Sequence, residues 1–287
     1  MRPQAAAMKA LFDQPGLQIM PGCGDGMGAR LIAEAGFRSG FVSGSSVAAM
    51  RLAMPDMDLL TFPEMADAVE SIIAAAPDVL WVADGDTGYG NALAVQKTIR
   101  AYARRGAAAV LIEDKVWPRP LGHQGAKLVV ERDAALLRCR AAIEACREEG
   151  ILLLARTDAR VSRGFDEALA RVQAFAAEGA DILFLDSPQS EAELRAAVTA
   201  GNGKPSLAVA SPAGRHFMPD HAELERIGVR IVVHPQEILA ASVHAMRAAL
   251  AGLKGSAKPP LASPAELATA IRAAEYLARD ARWPDPR

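Results

Sequence analysis

The sequence predicts a closed barrel of eight parallel β-strands wrapped by helices, an α/β fold of the (β/α)8 TIM type with a C-terminal helical extension. Three observations predict it. Eight short apolar runs alternate with helical stretches along the chain, and strand–helix–strand order is the mark of parallel crossovers. No Gly-x-Gly-x-x-Gly fingerprint follows the first run at the spacing an open dinucleotide-binding sheet requires. The residues that end the runs are far more polar than the runs themselves, as expected where the C-terminal ends of barrel strands build a site.

After a charged lead, Met1 to Gly16, the first strand is Leu17 to Met20, with Gly22, Gly24 and Gly26 in the loop behind it. Met27 to Ala35 is helical and stops at Gly36, a usual helix terminator. Gly40 to Ser43 is the second strand; Gly44-Ser45-Ser46 and a loop over Met54 to Asp58 follow. Thr61-Phe62-Pro63-Glu64 is a capping box that starts a helix lasting to Ala75. Val79 to Ala83 is the third strand, Ala92 to Arg105 a helix and Ala107 to Ile112 the fourth strand. The Gly- and Pro-containing segment 115–127 is long enough to be a lid or binding loop. Helix Glu131 to Glu149, strand Ile151 to Ala155 and helix Phe165 to Glu178 come next. Strand Asp181 to Leu185, helix Glu191 to Thr199 and strand Ser206 to Ala210 continue the alternation. A short helix from His221 to Ile227, strand Val229 to Val233 and helix Glu237 to Leu253 complete a barrel domain over 1–253. Residues 254–287 form a linker and a helical extension, with a last helix from Pro264 to Arg279.

The chain has 287 residues, 51% of them apolar, enough for a large core, and a net charge of −2. No basic block stands out, which argues against nucleic acid, since neutralising phosphates needs clustered Lys and Arg. There is no apolar run of transmembrane length and no signal-peptide core at the N-terminus; a cytoplasmic protein is expected. Cys139 and Cys146 lie on one helix, roughly 10 Å apart along its axis, too far to bridge. With Cys23 they read as free thiols of a reducing compartment.

The strand ends contribute Ser43, Asp84, Asp86, Glu113, Arg156, Asp186, Ser211 and His234. If the third and fourth strands are parallel neighbours, about 4.8 Å apart, Asp84, Asp86 and Glu113 emerge at one edge. Oxygen-only donors of this kind suit Mg²⁺ or Mn²⁺; Asp also follows strands simply to cap turns. Two readings of Arg156 stand: a paired-hydrogen-bond clamp on a substrate carboxylate, or a neutraliser of the acids. His123, in the long loop, is either a general acid on a closing lid or a solvated histidine. His234 either lines the pocket or bonds at the rim, Asp186 is a base or a partner of Arg156, and Cys23 faces the pocket or is buried.

Phe41-Val42-Ser43-Gly44-Ser45, Asp84-Gly85-Asp86-Thr87-Gly88-Tyr89-Gly90-Asn91, Ile112-Glu113-Asp114-Lys115, the loop Pro118 to Lys127 and Ala155-Arg156-Thr157-Asp158 resemble the isocitrate lyase and phosphoenolpyruvate mutase superfamily over roughly Leu17 to Leu253. The resemblance implies a (β/α)8 barrel whose last helix is exchanged between subunits, giving dimers or tetramers, together with Mg²⁺ and a small 2-oxo carboxylate substrate. Carried across, Asp56, Asp84, Asp86 and Glu113 match the magnesium shell. Ser43, Gly44 and Ser45 match the carboxylate grip, and Arg156 matches the substrate arginine. The lyases of the family carry a cysteine in the mobile loop that supplies a proton. Here the matching segment is Arg119-Pro120-Leu121-Gly122-His123, without the thiol, and Val209 stands where those lyases have Asn. Leu52 to Asp56 and Asp84 to Val95 resemble more closely the superfamily's oxaloacetate decarboxylases, whose pocket histidine after the eighth strand falls near Gln236, two residues beyond His234. The resemblance therefore implies decarboxylation of oxaloacetate through a pyruvate enolate. A carbon–carbon lyase of methylisocitrate or dimethylmalate type and a non-catalytic barrel that binds a 2-oxo acid are the alternatives.

Overall fold

The computed structural model describes residues 1–120, 127–210 and 217–283. His123, Ser211 and His216 lie outside the described residues. Helix α1 (Pro3–Asp13) precedes strand β1 (Gln18–Cys23), and α2 (Gly26–Glu34), β2 (Ser39–Val42), α3 (Gly44–Leu52), α4 (Phe62–Ala75), β3 (Leu80–Asp84), α5 (Ala92–Arg104) and β4 (Ala109–Glu113) follow. The second half comprises α6 (Arg132–Glu149), β5 (Leu152–Thr157), α7 (Ala159–Arg163), α8 (Phe165–Glu178), β6 (Ile182–Leu185), α9 (Glu191–Ala200), β7 (Leu207–Val209), α10 (His221–Ile227), β8 (Ile231–His234) and α11 (Glu237–Leu253). Two short helices, α12 (Pro264–Ala270) and α13 (Ala273–Asp280), end the described chain.

All strand pairs are parallel, in the order β6-β5-β4-β3-β2-β1-β8-β7. The ring is completed by a parallel bridge between Leu183 and Ser206 and by Leu183 N–H donating to Pro205 O at 3.0 Å. The eight-stranded barrel that the alternation predicts is thus the fold.

Side-chain alternation divides each strand between two cores. Met20, Phe41, Val82, Ala109, Leu111, Leu152, Leu154, Ile182, Phe184, Leu207, Ile231 and Val233 face the barrel interior, where α1 joins them through Ala5, Met8, Leu11 and Phe12. The alternate residues, among them Val42, Ala83, Val110, Ile112, Leu153, Ala155, Leu183 and Leu185, pack outward on the helices. The segment read only as a charged lead therefore holds a helix that packs into the barrel's interior core. Taking each of its large apolar side chains out of water contributes about 2 kcal/mol.

Helices α3 and α7 were not expected. Ser43 caps α3 by accepting from Ser46 N–H at 3.3 Å, so the Gly-Ser-Ser stretch begins a helix rather than a loop. The last helix, expected to run unbroken from Pro264, is interrupted at Arg272, whose backbone is left-handed with φ of 55°. Cys23 ends β1 rather than lying in the loop behind it, and its thiol is buried. No described helix is long and apolar enough to cross a membrane.

Candidate active site

The site follows from the same alternation. One pleat beyond the last interior-facing residue of five strands comes Ser43 after Phe41, Asp84 after Val82, Glu113 after Leu111, Arg156 after Leu154 and Asp186 after Phe184. A period of two carries all five to the mouth of the barrel. The register confirms the convergence: Asp84 lies level with Leu111, and Glu113 level with Arg156. From outside, buried Asp114 locks the ends of β4 and β5 together. It accepts Thr157 Oγ1 at 2.7 Å, Asp158 N–H at 2.9 Å and Arg171 Nη1 at 3.0 Å.

At the β2–α3 turn the N-terminus of α3 faces the acids. Gly44 N–H donates to Asp84 Oδ2 at 3.2 Å, and a Cβ at Gly44 would stand 3.1 Å from that oxygen, so glycine permits the approach. Ser43 Oγ and Ser45 Oγ are 3.0 Å apart, and Gln236 Nε2 donates to Ser45 Oγ at 3.3 Å. Ser46 Oγ donates to Pro235 O at 2.7 Å and ties this turn to the end of β8. The expected grip residues Ser43, Gly44, Ser45 and Gln236 therefore assemble.

His234 does not join them. It follows Val233, which faces the interior, and so shares the outward parity of Val232. Its Nδ1 lies 2.7 Å from Glu237 Oε1 and its Nε2 is 3.0 Å from His221 Nε2. Of the two placements the sequence allowed, lining the pocket as a substrate-binding residue or bonding at the rim, the structure shows the rim. Asp56 is exposed; its charge helps push Asp84 and Asp86 upward, but among the described residues its carboxylate makes no hydrogen bond to the site.

Asp84 and Asp86 are pushed above the ordinary carboxylate range, first by desolvation. Arg156 partly opposes this at Asp84, whereas Asp84 and Glu113 add their repulsion at Asp86. Glu113 rises to about 7, with desolvation only partly offset by Lys115 and Arg156. Asp86 N–H donates to Asp84 Oδ1 at 3.2 Å and Tyr89 Oη to Asp86 Oδ2 at 3.0 Å. Among the described residues neither aspartate has a Lys or Arg nitrogen in ion-pair range. Asp84, Asp86 and Glu113 are desolvated hard oxygen donors, the chemistry that Mg²⁺ or Mn²⁺ requires, and the two aspartates bring charge that no cation in ion-pair range balances among the described residues. Among the described residues, no three carboxylate, imidazole or thiolate groups converge closely enough to hold an ion as they stand. Glu113 itself is engaged by Lys115 Nζ at 2.8 Å and Arg156 Nε at 3.3 Å.

Of the two readings the sequence allowed for Arg156, the structure shows the neutraliser of the acids. It pairs with Asp158 through Nε at 2.8 Å and Nη2 at 2.6 Å, lies 3.3 Å from Asp186 Oδ1 and stacks over Phe184. Lys127 Nζ bridges Asp158 at 2.9 Å and Asp186 at 2.7 Å. Burial alone would raise the Asp158 pKa, but Arg156 and Lys127 hold it far below the usual range. Asp186 is thus a partner of Arg156, and Ser187 Oγ also donates to it at 2.6 Å. Lys115, Lys127, Asp158 and Tyr89 stand in the stretches that carry the resemblance but were given no role in the site. Asp158 had a periodic signal, two residues beyond Arg156 on the same face; the lysines, in loops that follow no period, were marked only by the motifs they stand in.

The phosphoenolpyruvate phosphomutase family model matches residues 8–254. The chain is 35% identical to 2,3-dimethylmalate lyase of Eubacterium barkeri over 242 residues, 84% of this chain and 83% of that protein. It is 38% identical to oxaloacetate decarboxylase of Paraburkholderia xenovorans (strain LB400) over 193 residues, 67% of this chain and 64% of that one. Its fold superposes on oxaloacetate acetylhydrolase in complex with 3,3-difluorooxalacetate with a TM-score of 0.90 at 31% identity, covering 96% of each chain. With an eight-stranded barrel, its acids at the strand ends and these likenesses, the chain belongs to the isocitrate lyase/phosphoenolpyruvate mutase superfamily of lyases and mutases.

Proposed function

We propose that this protein is a divalent-cation-dependent carboxy-lyase that converts oxaloacetate to pyruvate and CO₂. The observation that carries the reading is a pairing of presence and location. The groups that stabilise negative charge stand together at the barrel mouth. All three thiols of the chain are buried, with Cys23, Cys139 and Cys146 in the outer core. Burial pushes Cys23 and Cys139 up to about 12. A retro-aldol cleavage assisted by a loop thiol has no thiol to use, whereas decarboxylation needs only charge stabilisation and a later proton.

Asp84, Asp86 and Glu113 would hold Mg²⁺ or Mn²⁺, which when bound supplies Lewis-acid polarisation of the 2-oxo group. Ser43, Ser45 and Gln236 hold a substrate carboxylate by hydrogen bonds, helped by the N-terminus of α3. The bond between the departing carboxylate and its carbon breaks, CO₂ leaves, and the electron pair becomes the enolate of pyruvate. The Arg156 guanidinium, fixed by Asp158 and stacked on Phe184, stabilises the developing oxyanion; preorganised charge of this kind contributes several kcal/mol. The enolate carbon then takes a proton from His123 or water.

The decisive assay is pyruvate release from oxaloacetate, with Mg²⁺ or chelator and with the metal-only rate subtracted. Turnover that chelator abolishes and Asp86→Ala lowers by more than about tenfold in kcat/KM supports the reading. No rate above the metal-only control overturns it. The long match to a dimethylmalate lyase favours a second reading, a carbon–carbon lyase of branched malates or citrates with His123 in the thiol's place. Release of pyruvate or glyoxylate from such acids would establish it, and cation binding without any turnover would identify a binding barrel. We further propose that the protein is a homo-oligomer, a dimer or tetramer, in which a second copy covers the apolar faces of α11 to α13.

A further inference from the structure

We propose that Lys115 is an internal counter-ion that Glu113 exchanges for a divalent cation, with Asp58 receiving the displaced ammonium. The inference rests on the cation requirement of the proposed function and adds residues that the family motif does not assign to it. Lys115 Nζ lies 2.8 Å from Glu113 Oε1 and 3.8 Å from Asp58 Oδ1, and all three side chains are largely buried. Glu113 Oε1 has no hydrogen bond of good geometry despite this proximity; the contact is one of charge. Ammonium and a divalent cation repel, so both cannot sit on one desolvated carboxylate oxygen.

Asp58 is placed to take the lysine. Its backbone is left-handed, with φ of 61°, a conformation that Asp tolerates better than most residues. Its Oδ2 accepts Arg119 N–H at 2.7 Å, which leaves Oδ1 toward Lys115. The ammonium thus stands between two carboxylates, close to one and within reach of the other, and a small side-chain movement transfers it. Glu113 is then free to turn toward Asp84 and Asp86, the two acids that lack a cationic partner among the described residues. The same exchange accounts for the failure of the three carboxylates to converge as they stand. Because Asp58 also anchors Arg119, the transfer links the charge state of the site to the segment that follows β4.

The test is Mn²⁺ binding to the full-length protein, followed by titration calorimetry and by loss of the free-ion paramagnetic resonance signal. Removing the competing charge in Lys115→Met is expected to tighten binding by about tenfold or more. Asp58→Asn is expected to weaken it severalfold in the natural background and to have no effect when Lys115 is already Met, a coupling that a double-mutant cycle reads directly. Should Lys115→Met fail to fold, the weakening by Asp58→Asn carries the test. Unchanged or weaker binding in a folded Lys115→Met protein overturns the exchange, as does an Asp58→Asn effect independent of Lys115. Binding by the natural protein that Asp86→Asn abolishes supports the cation site separately. Absence of Mn²⁺ binding by the natural protein overturns the cation reading itself.

Discussion

Arg156 illustrates how single residues divide the work at the mouth. Its planar guanidinium makes two bonds to Asp158 while remaining stacked on Phe184, an arrangement that a lysine cannot reproduce. His234 makes the opposite case. Its ring is spent on Glu237 and His221 at the rim, so His234→Ala is expected to leave kcat/KM within about threefold of the natural enzyme. A loss of a hundredfold or more in steady-state assays would return it to the substrate pocket. The thiols give a pH-dependent expectation. Burial raises Cys23 and Cys139 to about 12 from an ordinary value of 9.0. Each thiol then ionises first in the unfolded chain. Its contribution to stability is complete below pH 9 and is lost as pH rises toward 12, by on the order of 1 kcal/mol per thiol per pH unit. Native protein at pH 8 should therefore resist alkylation at all three cysteines, and denatured protein should react fully; rapid native labelling counted by mass spectrometry would contradict their burial.

At the scale of elements, the strand pleat is what delivers the chemistry. In five of the eight strands the inward-facing run ends one pleat short of a polar residue, and a slip of one residue in any of these would turn that residue from the mouth to the helices. The β2–β3 pair shows how tightly this is held. Gly40 lies level with Trp81, whose indole fills the space a side chain at Gly40 would need and donates to Ala76 O at 2.9 Å. Gly40→Ala is expected to cost about 2 kcal/mol or more through overpacking, visible as a lower urea midpoint at unchanged slope. An unaltered midpoint would show that Trp81 yields easily. Much of this level was readable in the sequence. Strands and long helices lie within a few residues of expectation, and the Thr61 capping box starts α4 as expected, with Glu64 accepting Thr61 N–H at 2.8 Å. Helix α1 was missed although Pro3 at its start and apolar Ala5, Met8, Leu11 and Phe12 on one face were there to be read. Helix α3 was missed because Gly44-Ser45-Ser46 has turn composition, and only the cap by Ser43 reveals a helix.

For the whole molecule, the barrel accounts for the interior but not for its C-terminal surface. On α11, Met246, Leu250 and Leu253 are exposed, and Leu253 is 81% accessible. Leu261, Leu267, Ile271, Tyr276, Leu277 and Trp283 continue the apolar surface along the extension. A run of this kind is what a subunit interface would cover; on α11 only Gly252 is fully buried, while Ile238 packs against the barrel's outer core. Light scattering at micromolar concentration is expected to give a dimer or tetramer. Substituting Leu250→Glu together with Leu277→Glu should shift it toward monomer without unfolding the barrel. A monomeric natural protein would show that the apolar face is free.

The sequence by itself determined the barrel, because eight short, continuously apolar runs alternating with helical stretches admit few other parallel arrangements. It also determined which polar residues end the strands, and so Asp84, Asp86, Glu113 and Arg156 were legible. Only the tertiary structure decided how their charges are partnered. Whether Glu113 meets Lys115, whether Lys127 bridges Asp158 and Asp186, and whether His234 faces in or out depend on loop paths and on the exact strand register. Neither carries a sequence period, and Coulomb interactions at these distances change by kcal/mol over an ångström.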